Sequence, residues 1–271
     1  MAFENSKVVL GTIAAIHRYP VKSMAGEALA TATIGERGVR WDRAYAVFDA
    51  LERRIASAKH VAKFSSLLKF GARFVTGDQA AFDLPPVEIT FPDGRIARSD
   101  DAHCTEALSA WFGRPTGISA ITEDLSTRPR AGKYAMVDTY FDYAPLHLLT
   151  NVAMESLARR SPRSVIVVER FRPNLVIESA GVEDFPENAW TGRQLRVGHE
   201  VVIKVTDPCP RCAMPTLAQA ELPSDVAILK RISQSNTVYT PVLESEQPCL
   251  GAYAFVLRGG AVSVGDSVAF S

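Results

Sequence analysis

The stretch EVVIKVTDPCPRCAMPT, residues 200–216, contains the pattern that decides the fold. Its first eight residues are mostly β-branched and alternate in polarity, which predicts a β-strand with one buried face. Cys209 and Cys212 follow directly, spaced as C-x-x-C, and the prolines at 208 and 210 stiffen the turn because proline fixes φ. The stretch therefore predicts a strand that carries a rigidly held cysteine pair at its end, from which a side chain can reach a cavity.

Strand patterns of the same kind precede this stretch. Three segments are rich in alternating or β-branched residues and are bounded by glycine, proline or charged turns, namely residues 8–19, 27–34 and 43–50. Within residues 87–99, the turn residues Pro92, Asp93 and Gly94 predict a hairpin.

Further strands are predicted in the second half of the chain. Residues 164–169 and 174–178 predict a strand pair, and residues 194–198 predict a strand joined to the one at 200–207 by a Gly-His turn. Gly259-Gly260 predicts a two-residue hairpin, because a type I′ turn needs positive φ at both positions.

Helical patterns are few and short. Three helices are predicted, at residues 104–113, 148–160 and 225–233. Asp100 or Asp101 is expected to cap the first and Ser224 the third. Residues 121–138 are polar, basic in the middle and weakly periodic, which favours a long loop between two halves of the chain.

Many short strands with three brief helices predict a β-dominated α+β protein built on one or two small barrels. Alternating βαβ units are absent from the pattern, and so are the G-x-G-x-x-G and P-loop motifs of the common nucleotide folds. A flavin-binding barrel stays open at this point.

The charge balance excludes several functions. Thirty basic and thirty acidic side chains cancel, so no global field draws this protein to nucleic acid or to an anionic membrane. No stretch approaches 18 uninterrupted apolar residues, and the first residues lack the order of a secretory signal. We therefore expect a cytoplasmic protein. Any anion that it binds must be held by a local cluster of cations.

The four cysteines, Cys104, Cys209, Cys212 and Cys249, are expected to be thiols in a reducing cytosol. A structural zinc site or a plant-type iron–sulfur cluster would need further ligands at spacings that the sequence lacks. Arg211 can favour a neighbouring thiolate, the form that binds metals or attacks substrates. From the residues alone, packed thiols, a redox pair and a metal ligand or nucleophile all stay open.

Five stretches together resemble the MOSC-domain family, in the family's order and over nearly the whole chain from about residue 8. They are YPVKSMAG (19–26), DRAYAVFD (42–49), RFRPNLVIE (170–178), DPCPRCAMPT (207–216) and LGAYAFVLRGGAVSVGDSV (250–268). The resemblance implies a small N-terminal MOSC β-barrel domain at 1–125 and a MOSC β-barrel domain with a few short helices at 126–271.

In the family's reductases, which include amidoxime-reducing components and bacterial proteins acting on N-hydroxylated bases, the resemblance implies a molybdenum cofactor. The second cysteine of the C-x-R-C motif supplies the metal ligand, and that position is Cys212. Asp142 matches an aspartate near the metal, where a carboxylate can orient an oxygen or relay a proton. The implied cofactor contacts, cations suited to a pterin phosphate among them, are Lys22, Ser23, Arg43, Lys59, Arg172 and Asn174.

The function implied is reduction of N–O bonds in N-hydroxylated small molecules. A separate electron donor, a ferredoxin or a flavin reductase, is expected, because the chain lacks a cluster-binding cysteine pattern. Two alternatives stay open: a sulfur carrier with a persulfide on Cys212 or Cys209, and a flavin or pyridoxal phosphate barrel. His147, among leucines, is interpreted as a buried core histidine.

Overall fold

The computed structural model describes residues 8–75, 84–122, 129, 139–179, 181 and 183–271. Strands dominate these residues, as predicted. In chain order they are β1 (Val9–Arg18), β2 (Glu27–Leu29), β3 (Thr31–Gly35), β4 (Gly38–Val39), β5 (Tyr45–Asp49), β6 (Arg54–Ile55), β7 (Gly71–Phe74), β8 (Val87–Thr90), β9 (Ile96–Arg98), β10 (Thr116–Ala120), β11 (Leu146–Thr150), β12 (Leu175–Ser179), β13 (Gln194–Val197), β14 (Val201–Pro210), β15 (Thr237–Thr240), β16 (Ser245–Arg258), β17 (Gly260–Ser263) and β18 (Ser267–Phe270).

Seven strands form a closed barrel. The order is β11-β12-β1-β18-β13-β14-β16, and pairing of β16 with β11 closes the ring, while β2 and β15 extend it at β1 and β16. In β14 the side chains of Val201, Ile203 and Val205 are fully buried and alternate with more exposed neighbours. This period of two is the physical basis of the strand pattern, because successive side chains point to opposite faces.

A second core lies outside the barrel. It is built from residues 21–121 and contains a cluster of aromatic rings in which Phe70 contacts Phe91 and Trp111 at centroid distances of 4.9 and 5.4 Å. Two three-stranded sheets, β10-β5-β6 and β7-β8-β9, surround it. The hairpin predicted at residues 87–99 is confirmed as the β8–β9 pair.

Four α-helices occur in the described residues: α1 (Val61–Phe64), α2 (Ala102–Phe112), α3 (Asn151–Arg160) and α4 (Ala227–Ser235). Asp101 caps α2 as predicted, since its side chain accepts a hydrogen bond from His103 N, and Gly113 ends the helix with a left-handed φ of 61°. None of these helices is long and apolar enough to cross a membrane.

Three local predictions are wrong. The helix predicted from residue 148 begins at Asn151, because residues 146–150 pair as β11 and Thr150 caps the helix. Ser224 is not the cap of α4; instead Asp225 accepts from Ala227 N at 2.9 Å. Residues 164–169 form no strand, and their last two residues begin a 3₁₀ turn, Val168–Arg170, that leads into the site.

The predicted Gly259-Gly260 hairpin is also wrong. β17 pairs with β3 instead of folding back on β16. A Cβ on Gly259 would lie 2.5 Å from the carbonyl oxygen of Ile34, so glycine allows a close approach of two backbones here. The predicted loop at 121–138 and the predicted domain boundary at 125/126 fall mostly or wholly outside the described residues, and the boundary stays a prediction.

Candidate cofactor site

One cleft at an end of the barrel collects all the site residues predicted from the sequence. It lies where the end of β14, the start of β11, the turn after β1 and the chain after residue 170 meet. The predicted residues that line it are Lys22, Ser23, Arg43, Lys59, Asp142, Arg172, Asn174 and Cys212.

Three of these residues have a left-handed backbone. φ is 67° at Ser23, 49° at Arg43 and 57° at Arg172, in a region that residues with a Cβ seldom adopt. Hydrogen bonds hold these conformations: Arg43 N donates to Tyr19 O at 2.7 Å, and Ala58 N donates to the Ser23 hydroxyl at 3.2 Å. Such conformations cluster at ligand sites, where the surrounding structure determines them.

Asp142 lies between two lysines. Its Oδ1 accepts from Lys22 Nζ at 2.7 Å, and its Oδ2 lies 2.8 Å from Lys59 Nζ. Burial alone would raise the pKa of Asp142, but the two ammonium charges hold it well below its usual range. Burial likewise works to lower the pKa of Lys59, yet the charges of Asp142 and Cys212 raise it. The carboxylate and Lys59 are therefore both ionised at neutral pH.

Arg43 and Asn174 belong to a buried network centred on Asp42. Arg43 forms an ion pair with Asp42, and Asn174 Nδ2 donates to the same carboxylate at 3.0 Å. Asn174 also accepts from His147 N at 3.2 Å and from Arg43 at 3.3 Å. All its amide atoms are thus used within the protein, so Asn174 holds the Arg43 side chain in place.

Arg172 is the least compensated charge in the cleft. Its guanidinium packs 4.2 Å from the ring centre of Tyr19 and donates one hydrogen bond to Met24 O. The buried Nη2 has no hydrogen-bond partner in the described part of the chain. Burial and the nearby Arg43 charge lower the pKa of Arg172 to about 10. A buried donor without a partner costs stability unless a ligand satisfies it.

The two cysteines of the pair have different surroundings. Cys212 is exposed at the cleft, whereas Cys209 is buried and its sulfur accepts from Arg211 Nη1 at 3.0 Å. Arg211 also donates to Phe171 O at 3.0 Å, and its buried Nε lacks a partner among the described residues. Both cysteines line the cleft, but only Cys212 is exposed to a ligand, and its role as a metal ligand stays a prediction.

Several residues of the cleft escaped sequence reasoning. Tyr140, Phe141, Tyr143 and Tyr253 all line it. The cluster of aromatic residues around Asp142, in the stretch YFDY (140–143), was the sequence feature that could have indicated them. His147 is buried, as predicted, and its Nε2 donates to Leu250 O at 3.3 Å, but it too lines the cleft.

No group of three or more His, Cys, Asp or Glu residues is placed to hold a metal ion in the ranges that the structure describes. The cleft instead offers one exposed thiol surrounded by cations. Its chemistry suits an anionic ligand, or a metal that receives most of its ligands from a bound organic molecule.

The fold and the cleft define a β-barrel protein with a cationic pocket beside a single accessible thiol. Two family profiles match the sequence: the MOSC domain over residues 107–269 and the MOSC N-terminal beta barrel domain over residues 10–64. The first match covers more than half of the chain, so this protein belongs to the MOSC domain family.

Known relatives are distant. The chain is 31% identical over 137 residues to mitochondrial amidoxime reducing component 2 of Rattus norvegicus, a match covering 48% of this chain and 37% of that protein. It is 25% identical over 286 residues to mitochondrial amidoxime-reducing component 1 of Mus musculus and over 291 residues to that of Homo sapiens. Each of these two matches covers 96% of this chain and 82% of the relative.

Proposed function

We propose that this protein binds a molybdenum cofactor in the cleft and reduces the N–O bond of N-hydroxylated small molecules. Cys212 would ligate the metal, and the cofactor, when bound, would supply the two-electron redox chemistry. The overall reaction converts R–NHOH, two electrons and two protons into R–NH₂ and water. The similarity to amidoxime-reducing components supports the substrate class.

The observation that carries this proposal is the uncompensated charge beside Cys212. Asp42 pairs with Arg43, and Asp142 pairs with Lys22 and Lys59. Three arginines of the cleft have no carboxylate partner in the described residues: Arg170 donates to backbone carbonyls, whereas Arg172 and Arg211 each keep one buried nitrogen without a partner. A guanidinium matches phosphate oxygens with two parallel hydrogen bonds. The donor set therefore fits a pterin phosphate, with a thiolate available to its metal.

The other residues of the cleft would position the reacting groups. Asp142, ionised by its two lysines, would fix Lys22 and Lys59 instead of delivering its own proton. Lys59 Nζ, which stays protonated, would then be the proton-bearing atom beside Cys212. Ser23, through its bond to Ala58 N, would hold the chain that carries Lys59.

Electrons would come from a separate protein, a small ferredoxin or a flavin reductase. The sequence has four cysteines, and three of them, Cys104, Cys209 and Cys249, are buried, so no iron–sulfur cluster pattern is available. A persulfide carrier function is the second candidate, and the exposure of the Cys212 thiol is the observation that favours it.

Elemental analysis of Cys212→Ser and Cys209→Ser tests the assignment. Both proteins would be purified from a host that makes the cofactor, beside wild type. We expect near-stoichiometric molybdenum in wild type, its loss in Cys212→Ser, and a milder reduction in Cys209→Ser, because the Cys209 thiol is buried and bonded to Arg211. N–O reduction with an artificial electron donor should follow the metal content.

Circular dichroism would establish that each variant folds. Equal and slight effects of the two serine variants would overturn the ligand assignment. Wild type that contains no molybdenum, with cofactor supply established in the host, would overturn the proposed function; a mass increase of one sulfur on Cys212 would then establish the persulfide.

A further inference from the structure

A second pocket opens on the outer side of Cys212. It adjoins the cleft and adds three residues, Val242, Leu243 and Gln247, to the lining that the two have in common: Lys59, Asp142, Tyr143, Pro210, Arg211, Cys212 and Tyr253. Its volume is about 380 Å³, within the range of roughly 300–1,000 Å³ of small-molecule sites. The end beside the thiol is therefore charged, and the far end is mostly apolar, with Gln247 as its polar residue.

The apolar end is made by a hairpin loop and two tyrosines. Pro241–Leu243 form a 3₁₀ turn between β15 and β16, and Glu244 closes the turn with a left-handed φ of 51°. Opposite, the rings of Tyr143 and Tyr253 meet edge to face at 5.5 Å. Half-buried apolar walls of this kind suit a flat, apolar body, since polar groups would lose hydration there without a partner.

One buried carboxylate joins these walls. Asp207 is 1% exposed; its Oδ2 accepts from the Tyr143 hydroxyl at 3.0 Å and its Oδ1 from Val242 N at 2.8 Å. It pairs across the sheet with Tyr253, at an irregularity of the β14–β16 register. Bulges near active sites re-aim side chains, and this one directs Asp207 towards the pocket walls. The strand ends at Pro210, two residues before Cys212.

We propose that Asp207 is a positioning residue that fixes the walls of this second pocket, and that the pocket receives the flat apolar body of the substrate. The N–O group then lies at the charged end, beside Cys212. The turn at residues 241–244 thereby selects substrates with an aromatic or heteroaromatic body over small alkyl ones. The placement of the N–O group beside Cys212 rests on the proposed function. The preference of the pocket for an aromatic body does not depend on it.

Benzamidoxime and acetamidoxime, which differ in a phenyl against a methyl group, are the probes. Three variants change the pocket: Asp207→Ala removes the carboxylate, Tyr143→Phe removes only the hydroxyl that bonds to it, and Val242→Asp places a charge at the apolar end. Tyr239→Phe is the matched control, because Tyr239 is 58% exposed on the same hairpin and lies outside the pocket lining.

We expect Val242→Asp to raise the KM for benzamidoxime at least tenfold and to leave that for acetamidoxime within twofold. Tyr143→Phe and Asp207→Ala should raise the KM for benzamidoxime about three- to tenfold, with kcat within twofold and molybdenum content unchanged. Tyr239→Phe should match wild type. If Asp207→Ala does not fold, Tyr143→Phe carries the test.

Calorimetric measurement of the binding of both probes to cofactor-free protein tests the preference of the pocket separately from the proposed N–O reduction. Wild type that prefers benzamidoxime, with the preference lost in Val242→Asp, supports the pocket even if no N–O reduction occurs. Equal KM and equal affinity for the two probes, or equal losses for both in the variants, would overturn the inference while leaving the proposed reaction intact.

Discussion

Asp42 and Asp142 divide the cations of the cleft between them. Each carboxylate is committed, the first to Arg43 and the second to two lysines, and Arg172 is left with a buried nitrogen that has no partner in the described residues. A protein gains nothing in stability from such a nitrogen, since its desolvation is uncompensated. We therefore expect an anionic ligand to satisfy it, and inorganic phosphate at millimolar concentration should already raise the Tm of the cofactor-free protein.

We expect Arg172 to cause most of this increase in Tm with phosphate, and the variant Arg172→Gln tests this. The variant should lose most of the increase in Tm, because the amide lacks the charge and the paired donors that hold an anion. Arg73→Gln is the control: Arg73 is exposed, pairs with Glu88 and does not line the cleft. Differential scanning fluorimetry with phosphate and with chloride at equal ionic strength measures the shifts. Equal increases for Arg172→Gln and wild type would contradict this role of Arg172.

His147 makes the stability of the protein sensitive to acid. Burial lowers its pKa to about 3, against an ordinary value of 6.5. Between these values the unfolded chain binds a proton that the folded chain does not, so stability is present above pH 6.5 and is lost as the pH falls towards 3. The loss between pH 7 and 4.5 amounts to about 2 to 3 kcal/mol.

In His147→Gln this part of the pH dependence should disappear. Glutamine can donate to the same carbonyl of Leu250 but does not titrate. Urea unfolding at pH 7 and pH 4.5 gives the two free energies of unfolding. His199→Gln, at an exposed turn between β13 and β14, should keep the wild-type difference. An unchanged difference in His147→Gln would assign the acid sensitivity to other groups.

At the scale of elements, β14 leads the chain into the candidate site. Its buried alternation anchors it in the barrel, and the irregular pairing from Val205 to Pro210 frees it from the regular register. Asp207, within β14, consequently faces the pocket walls, and Cys212, two residues after the strand ends, lies at the opening. The strand and the rigid turn were predictable from alternation and proline, but the bulges, which depend on the partner strand, were not.

Gly259 illustrates the same limit and gives a prediction. A Gly-Gly pair predicts a hairpin locally, yet the chain passes close to β3 and pairs with it. Gly259→Ala should destabilise the protein by about 1–3 kcal/mol, because its Cβ would collide with the Ile34 carbonyl oxygen and force the backbones apart. Gly35→Ala, on the facing strand with no atom within 4 Å of the added Cβ, is the control.

Urea unfolding of both alanine variants measures the difference. Gly35→Ala should be neutral or slightly stabilising, because alanine restricts the unfolded chain more than glycine does. Similar small effects in the two variants would mean that β3 and β17 are not held as closely as the structure places them.

For the whole molecule, the site is an assembly of distant segments. Lys22, Arg43 and Lys59 come from the first quarter of the chain, whereas Arg172 and Cys212 come from the second half. No local pattern predicts that these residues meet; the resemblance to a family supplied the set, and the barrel accounts for it. β1 runs between β12 and β18 in the barrel wall, so it fixes the turn that carries Lys22 against the strands that carry the later residues.

This topology predicts that residues 126–271 do not fold alone, although most of the barrel strands lie there. Without β1, the barrel opens and both β12 and β18 expose unpaired edges, which promote aggregation. Joining residues 8–30 after Ser271 through a short glycine-serine linker should restore a soluble protein, since Phe270 N already donates to Val8 O at 3.2 Å. Size-exclusion chromatography and thermal unfolding of the two fragments measure this. A monomeric 126–271 fragment with a sharp unfolding transition would show that the barrel does not depend on β1.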